Sequence, residues 1–202
     1  LHETGAANVG GLMDARGRTP FERAVAAAYN SPLGLGGGGF HVADTPAGPA
    51  DTVFLGVFQR KALQDVGGFD ESLHRAQDWE LNYRLRRAGH VVWFTPELRV
   101  TYRPRSTLGA LARQFFRTGQ WRREVIRRHP ETASLRYLIP PAAVLGSGGG
   151  LLGAIAGLLL RVPWLLVLLA LPGSYLAYLS YATASMRGLD SATRRRLPLV
   201  LA

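Results

Sequence analysis

Asp78 is the residue of this chain best placed to do chemistry. It lies in Gln77-Asp78-Trp79-Glu80-Leu81, at the opening of a short amphipathic stretch and just after the turn Gly67-Gly68-Phe69-Asp70. A carboxylate held beside a bound alcohol can take the hydroxyl proton as its oxygen attacks an electrophilic carbon. Trp79 offers a flat apolar face of the kind that stacks on a pyranose ring, and Gln77 can hydrogen-bond to a substrate. The competing reading is structural: an acid in the first turn of a helix stabilises the helix dipole and the unpaired N–H groups, worth about 1 kcal/mol. Glu80 reads as a solvated or salt-bridged helix residue, and Asp70 as satisfying the backbone of its own turn.

Some 35 residues downstream comes Gln114-Phe115-Phe116-Arg117-Thr118-Gly119-Gln120-Trp121. Arg117 could balance the charge of a departing diphosphate. Alternatively, the stretch is an amphipathic interfacial helix: Leu108, Leu111 and Phe115 share one face, and its arginines meet lipid phosphates. Asp51, with Thr52 ahead of an apolar run, could help shape a pocket. His41 could hold a metal or phosphate, although a loop histidine is more often polar surface. The glycines 36 to 39 lack the Gly-Lys-Ser/Thr ending of a phosphate loop, and a flexible lid is the better expectation for them.

Several elements must position these groups. Ala6–Met13 and Thr52–Phe58 are short apolar runs that read as buried strands. Phe21–Tyr29 has helical spacing, with Thr19 as N-cap, Pro20 at the first position and Glu22 in the first turn. Arg60–Val66 and Asp78–Arg87 read as helices that end at Gly67-Gly68 and before Gly89. His90–Phe94 and Leu98–Tyr102 read as two strands split by Pro96. Strands mixed with helices indicate an α/β layered domain.

Charge and hydropathy then divide the chain. The net charge is +10 and Lys61 is the only lysine. Seven arginines fall between Arg113 and Arg136, against Glu124 and Glu131 alone. Such a cluster attracts polyanions, but no nucleic-acid reader motif accompanies it, so nucleic acid is set aside. From Tyr137 to Met186 the only charged residue is Arg161. The tract divides at Arg161-Val162-Pro163 into Leu138–Leu160 and Pro163–Thr183, each near the ~20 residues that a spanning helix needs. Arginines at both outer ends place those ends in the cytoplasm under the positive-inside rule. Pro140, Pro141 and Gly148–Gly150 suggest an irregular or re-entrant first span, and Pro172 a kink in the second. Leu197–Ala202 reads as the start of another apolar span. With no cysteine, disulfides and thiolate ligands are excluded. The chain opens at Leu1 and runs straight into domain-like sequence, as a fragment would.

The run Phe58-Gln59-Arg60-Lys61-Ala62-Leu63-Gln64-Asp65-Val66-Gly67-Gly68-Phe69-Asp70-Glu71, then Gln77-Asp78-Trp79-Glu80-Leu81 and Arg84-Leu85-Arg86-Arg87-Ala88-Gly89, resembles the bacterial family 2 glycosyltransferases. The likeness is nearest to exopolysaccharide (succinoglycan-type) glucosyltransferases, and it covers roughly residues 5 to 136. It implies a GT-A fold, a nucleotide-diphosphate sugar donor, a divalent cation (Mg or Mn) and inversion at the anomeric carbon. Asp78 occupies the position of the family's base, and Gln77 replaces the usual Glu. Gln114, Arg117 and Trp121 look like a loosened Gln-x-x-Arg-Trp motif, with Trp121 four residues after Arg117 instead of adjacent. That departure favours single-sugar addition. No strand-end acidic pair for metal occurs, so the resemblance puts the cation ligands upstream of Leu1.

The resulting expectation is an α/β chain. Residues 1–104 form the acceptor-side, C-terminal part of a GT-A domain, and 105–136 a basic interfacial segment. Residues 137–186 form two transmembrane helices of a multi-pass protein of the cell membrane, and 187–202 a cytoplasmic basic segment. Its partners would be a nucleotide-diphosphate sugar, a glycan or lipid-linked acceptor, and membrane lipids. By itself the chain is expected to be inactive. The alternative is a non-enzymatic, membrane-anchored basic module that binds anionic lipids or partner proteins.

Overall fold

The structure is a computed structural model that describes residues 1–34 and 39–202. Most of the expected glycine-rich lid, Gly36 to Gly38, lies outside the described residues. Four strands form one sheet: β1 (Asn8–Ala15), β2 (Gly48–Pro49), β3 (Phe54–Phe58) and β4 (Val92–Tyr102). Their spatial order is β2-β4-β1-β3, with β1 and β4 parallel and the two flanking pairs antiparallel. The architecture is therefore mixed α/β.

The two strands expected on either side of Pro96 are a single strand whose register slips. Gly11 pairs with Thr95 but Leu12 pairs with Arg99, so Pro96, Glu97 and Leu98 bulge out of the ladder. A bulge absorbs the proline that a regular ladder would reject. Gly11 is what makes room: a Cβ there would collide with the carbonyl oxygen of Leu98.

Helix α1 (Pro20–Tyr29) begins as its sequence implies. The Thr19 hydroxyl accepts from Glu22 N at 3.2 Å, and the Glu22 carboxylate accepts from Thr19 N at 3.3 Å. Glu22 is fully buried and also accepts from Arg103 at 2.9 Å and from Arg18 N at 2.7 Å. Those bonds, Arg103's first, hold its acid well below the ordinary 4.5, at about 2. A lowered folded-state pKa stabilises the protein above the unfolded value and is lost as pH falls toward the folded one. The stability advantage of wild type over Glu22→Gln should thus be full at neutral pH and shrink between pH 4.5 and about 2. Denaturant melts at stepped pH check this; a gap that widens on acidification would contradict it.

Two further helices flank the sheet. Helix α2 (Arg60–Asp65) stops at Gly67 and Gly68, whose φ values of 79° and 73° suit glycine. Helix α3 (Gln77–Arg87) ends before Gly89, with φ 86°. Leu81 and Leu85 of α3 pack on Ala7, Leu12, Val53, Val92 and Phe94, the core beneath that face of the sheet.

Helix α4 (Leu108–Arg128) follows, and then α5 (Ile139–Leu159). The α5 helix is continuous, where an irregular segment was expected. Pro140 and Pro141 sit in its first turn, where no N–H partner is needed. Gly150, Gly153 and Gly157 form a smooth stripe against Leu165, Leu168 and Leu171, where side chains would collide. The second apolar stretch starts as a 3₁₀ turn (Pro163–Leu169) and becomes α6 (Ala170–Ser185) just before Pro172. Only 17% and 11% of the two apolar windows is buried, so this hairpin is not the core of a globular domain.

Short helices α7 (Ser191–Arg194) and α8 (Leu197–Leu201) fold back onto α1, where fully buried Leu197 meets Ala24 and Ala28. Arg23 fixes this return by bonding Asp190 and Thr193, each at 3.2 Å.

Candidate active site

Ala76 precedes α3 in a left-handed conformation, φ 60° and ψ 12°, and offers no side-chain cap. For alanine this backbone costs about 1–2 kcal/mol, a strain of the kind that gathers at functional sites. It delivers Gln77 and Asp78 directly into the first turn. Asp78 is exposed, and its Oδ1 accepts from Trp79 N at 2.8 Å. One oxygen thus satisfies a first-turn N–H, as the structural reading expects, and that bond fixes the orientation of the carboxylate. Gln77 beside it is half-buried.

Trp79 turns inward. It is buried with Leu73 and Val125, and Ala76 and Trp121 pack against the same cluster. Trp121 also meets the His74 ring edge-on, centroids 5.7 Å apart. The Gln77-Asp78-Trp79 segment and the helix carrying Gln114, Arg117 and Trp121 are therefore neighbours. The arginine at their junction is Arg122, not Arg117. Its guanidinium lies 4.3 Å from the Trp79 ring centre and 4.9 Å from that of Tyr137, the residue that leads into α5. Cation–π contacts of this kind contribute roughly 0.5–2 kcal/mol. Arg117 is exposed on the outer face of α4.

Gln114 anchors the other end of that helix. Its amide donates to the Tyr29 hydroxyl at 3.1 Å and the Tyr102 hydroxyl at 3.3 Å, and its carbonyl accepts from Arg105 at 2.7 Å. Leu111 packs beside it on Met13 and Tyr29, so part of the apolar stripe faces protein while Phe116 stays exposed. Helix α4 is thus pinned at Gln114 and Trp121, seven residues or roughly 10 Å apart.

Other expected residues lie elsewhere. Asp51 is exposed and pairs with Arg86 at 3.1 Å, eight residues along α3 from Asp78, so it does not join this site. His41 packs on Phe40 and Tyr29, with ring centroids 4.2 and 5.6 Å away, and burial lowers its pKa to about 4. It is neutral and ringed by aromatics. Among the described residues no group of three His, Asp or Glu could hold a metal ion.

The glycine turn is tied to α3 by charge. Glu80, nearly fully buried, accepts from Arg84 Nε at 2.6 Å and Nη2 at 2.8 Å, and lies 3.3 Å from His129. Arg84 donates onward to the carbonyls of Gly68, at 2.7 Å, and Val66. Asp70 accepts from Ser72 N at 2.9 Å, as its turn demands, and from Arg128 at 2.7 Å. Both acids act as the sequence implies. These groups line an open hollow of about 390 Å³ that Asp78 does not border.

The buried links between elements were not visible in the sequence. Asn8 donates to Asn82 at 2.6 Å, and Asn82 to Thr52 at 2.9 Å, joining β1, α3 and the start of β3. An asparagine in the middle of an amphipathic helix was the only signal.

Comparison with known proteins decides the kinship. The chain is 35% identical over 152 residues to the succinoglycan biosynthesis protein ExoA of Rhizobium meliloti (strain 1021), covering 75% of this chain and 46% of that protein. This homology supports a family 2 glycosyltransferase. It is also 34% identical over 111 residues to the pre-mycofactocin glycosyltransferase of Mycobacterium tuberculosis (strain ATCC 25618 / H37Rv), covering 52% of this chain and 23% of that protein. The chain thus spans about half and a quarter of these two glycosyltransferases. No family model matches it, and no solved structure matches it significantly. Glycosyl transfer is the function these relatives support.

Proposed function

We propose that this chain is the acceptor-side, membrane-proximal part of an inverting glycosyltransferase with a GT-A domain. The observation that supports the reading is the packing of Trp79, next to Asp78, against Trp121 and Val125 of α4, in a chain similar to glycosyltransferases. Asp78 is the general base. It takes the proton of an acceptor hydroxyl while that oxygen bonds to the anomeric carbon. The carbon's bond to the nucleoside diphosphate breaks in the same step, and the electron pair leaves with the diphosphate. Attack from the opposite face inverts the centre.

Trp79 and Trp121 hold the base rigid through the cluster beneath it, a better-supported role than stacking on the sugar. Arg117, on the exposed face of α4, is free to meet diphosphate or lipid phosphate. The divalent cation that the family resemblance implies does not fit the described residues. No step here is assigned to it.

The acceptor is a growing polysaccharide or a lipid-linked glycan, and the α5–α6 hairpin anchors the enzyme in the cell membrane. Its two apolar stretches are long enough to cross, and their outward apolar surface favours lipid. Arginines flank both outer ends, which puts the catalytic part on the cytoplasmic face. The stereochemical test is direct. With an α-linked nucleotide sugar, the complete protein should yield a β-linked product, read from the anomeric proton coupling. An α-linked product would overturn the single-displacement reading.

A further inference from the structure

The groove between α6, α7 and α8 has a composition that a bare membrane anchor does not require. It is an open hollow of about 340 Å³ lined by Leu176, Leu179, Ser180, Thr183, Arg194 and Pro198, among others. One wall is the last two turns of the apolar stretch that ends at Ser185; the other is the basic segment that follows. It therefore straddles the boundary where an apolar helix gives way to charge.

Its polar groups are set up asymmetrically. Ser180 and Thr183 donate their hydroxyls back to helix carbonyls, at 2.8 and 2.7 Å, leaving only lone pairs toward the groove. Arg194 is exposed, and its bond to the Met186 carbonyl is a long 3.5 Å. Arg187, Arg195 and Arg196 lie near it in the sequence. The one acid of this segment, Asp190, is already engaged by Arg23 and Thr193. The groove thus joins an apolar slot to an uncompensated cationic mouth.

The geometry points to a binding site for an anionic phospholipid, with its phosphate on Arg194 and an acyl chain along Leu176 and Leu179. Arginine suits phosphate through its forked donors, and juxtamembrane arginines favour anionic headgroups. This site shares no residue with the surroundings of Asp78, and it rests on reading the hairpin as a membrane anchor.

The test reconstitutes the complete protein in nanodiscs of equal phosphatidylglycerol and phosphatidylcholine, and measures the lipid retained after detergent re-extraction. Wild type should retain phosphatidylglycerol in excess over the disc composition. Arg194→Gln should lose that excess. So should Ala184→Trp, which fills the groove from an exposed position without altering charge. Unchanged thermal melting of both variants would show that they remain folded. Excess retained by both would overturn the site, as would displacement of the lipid by millimolar inorganic phosphate, which would mark a simple anion site. Wild-type protein extracted from native membranes by alkaline carbonate would overturn the anchor and the site together. An inserted protein without lipid preference would overturn the site alone.

Discussion

Replacing Glu80 with alanine is expected to destabilise the protein by about 3 kcal/mol. The carboxylate is nearly fully buried and receives two bonds from Arg84, at 2.6 and 2.8 Å. Removing it strands a guanidinium that is itself mostly covered, and an uncompensated charge costs more than the pair contributes. The damage spreads, because Arg84 also holds the carbonyls of Val66 and Gly68. Without Glu80 the glycine turn and the first turns of α3 lose their common tie. Glu80→Gln should fall between the two, since it keeps an acceptor but not the charge. Thermal melting of the detergent-solubilised complete protein reads both. Variants within about 0.5 kcal/mol of wild type, the range of surface substitutions, would show that the pair is not structural.

The locally encoded features were the legible ones. Thr19, Pro20 and Glu22 mark the start of α1 because capping involves residues three apart. Gly67, Gly68 and Gly89 mark helix ends because only glycine enters positive φ cheaply. The segments Gln77-Asp78-Trp79 and Trp121, which carry the family resemblance, pack together in the fold.

What escaped depends on contacts distant in sequence. Pro96 stays within one strand because Gly11, far from it along the chain, admits the bulge at Leu98. The seat of Leu197 on Ala24 and Ala28 of α1 is another such contact. Motif spacing singled out Arg117, whereas the phase at which α4 docks brings Arg122 over Trp79. Asp51 looked like a pocket residue only because it precedes a strand; its neighbour is Arg86.

Transfer by the complete protein carrying Asp78→Asn is the measurement closest to the central claim. The substitution keeps size and shape. An amide can still accept from Trp79 N, so the 2.8 Å bond that orients the side chain survives. What disappears is the ability to take a proton, and general base catalysis is worth roughly 10²–10⁴-fold. Turnover of a labelled nucleotide sugar should fall by about that factor. Donor affinity, titrated separately, and thermal stability should stay at wild-type values. A rate near wild type would remove Asp78 from the chemistry and leave it as an acid that merely opens a helix.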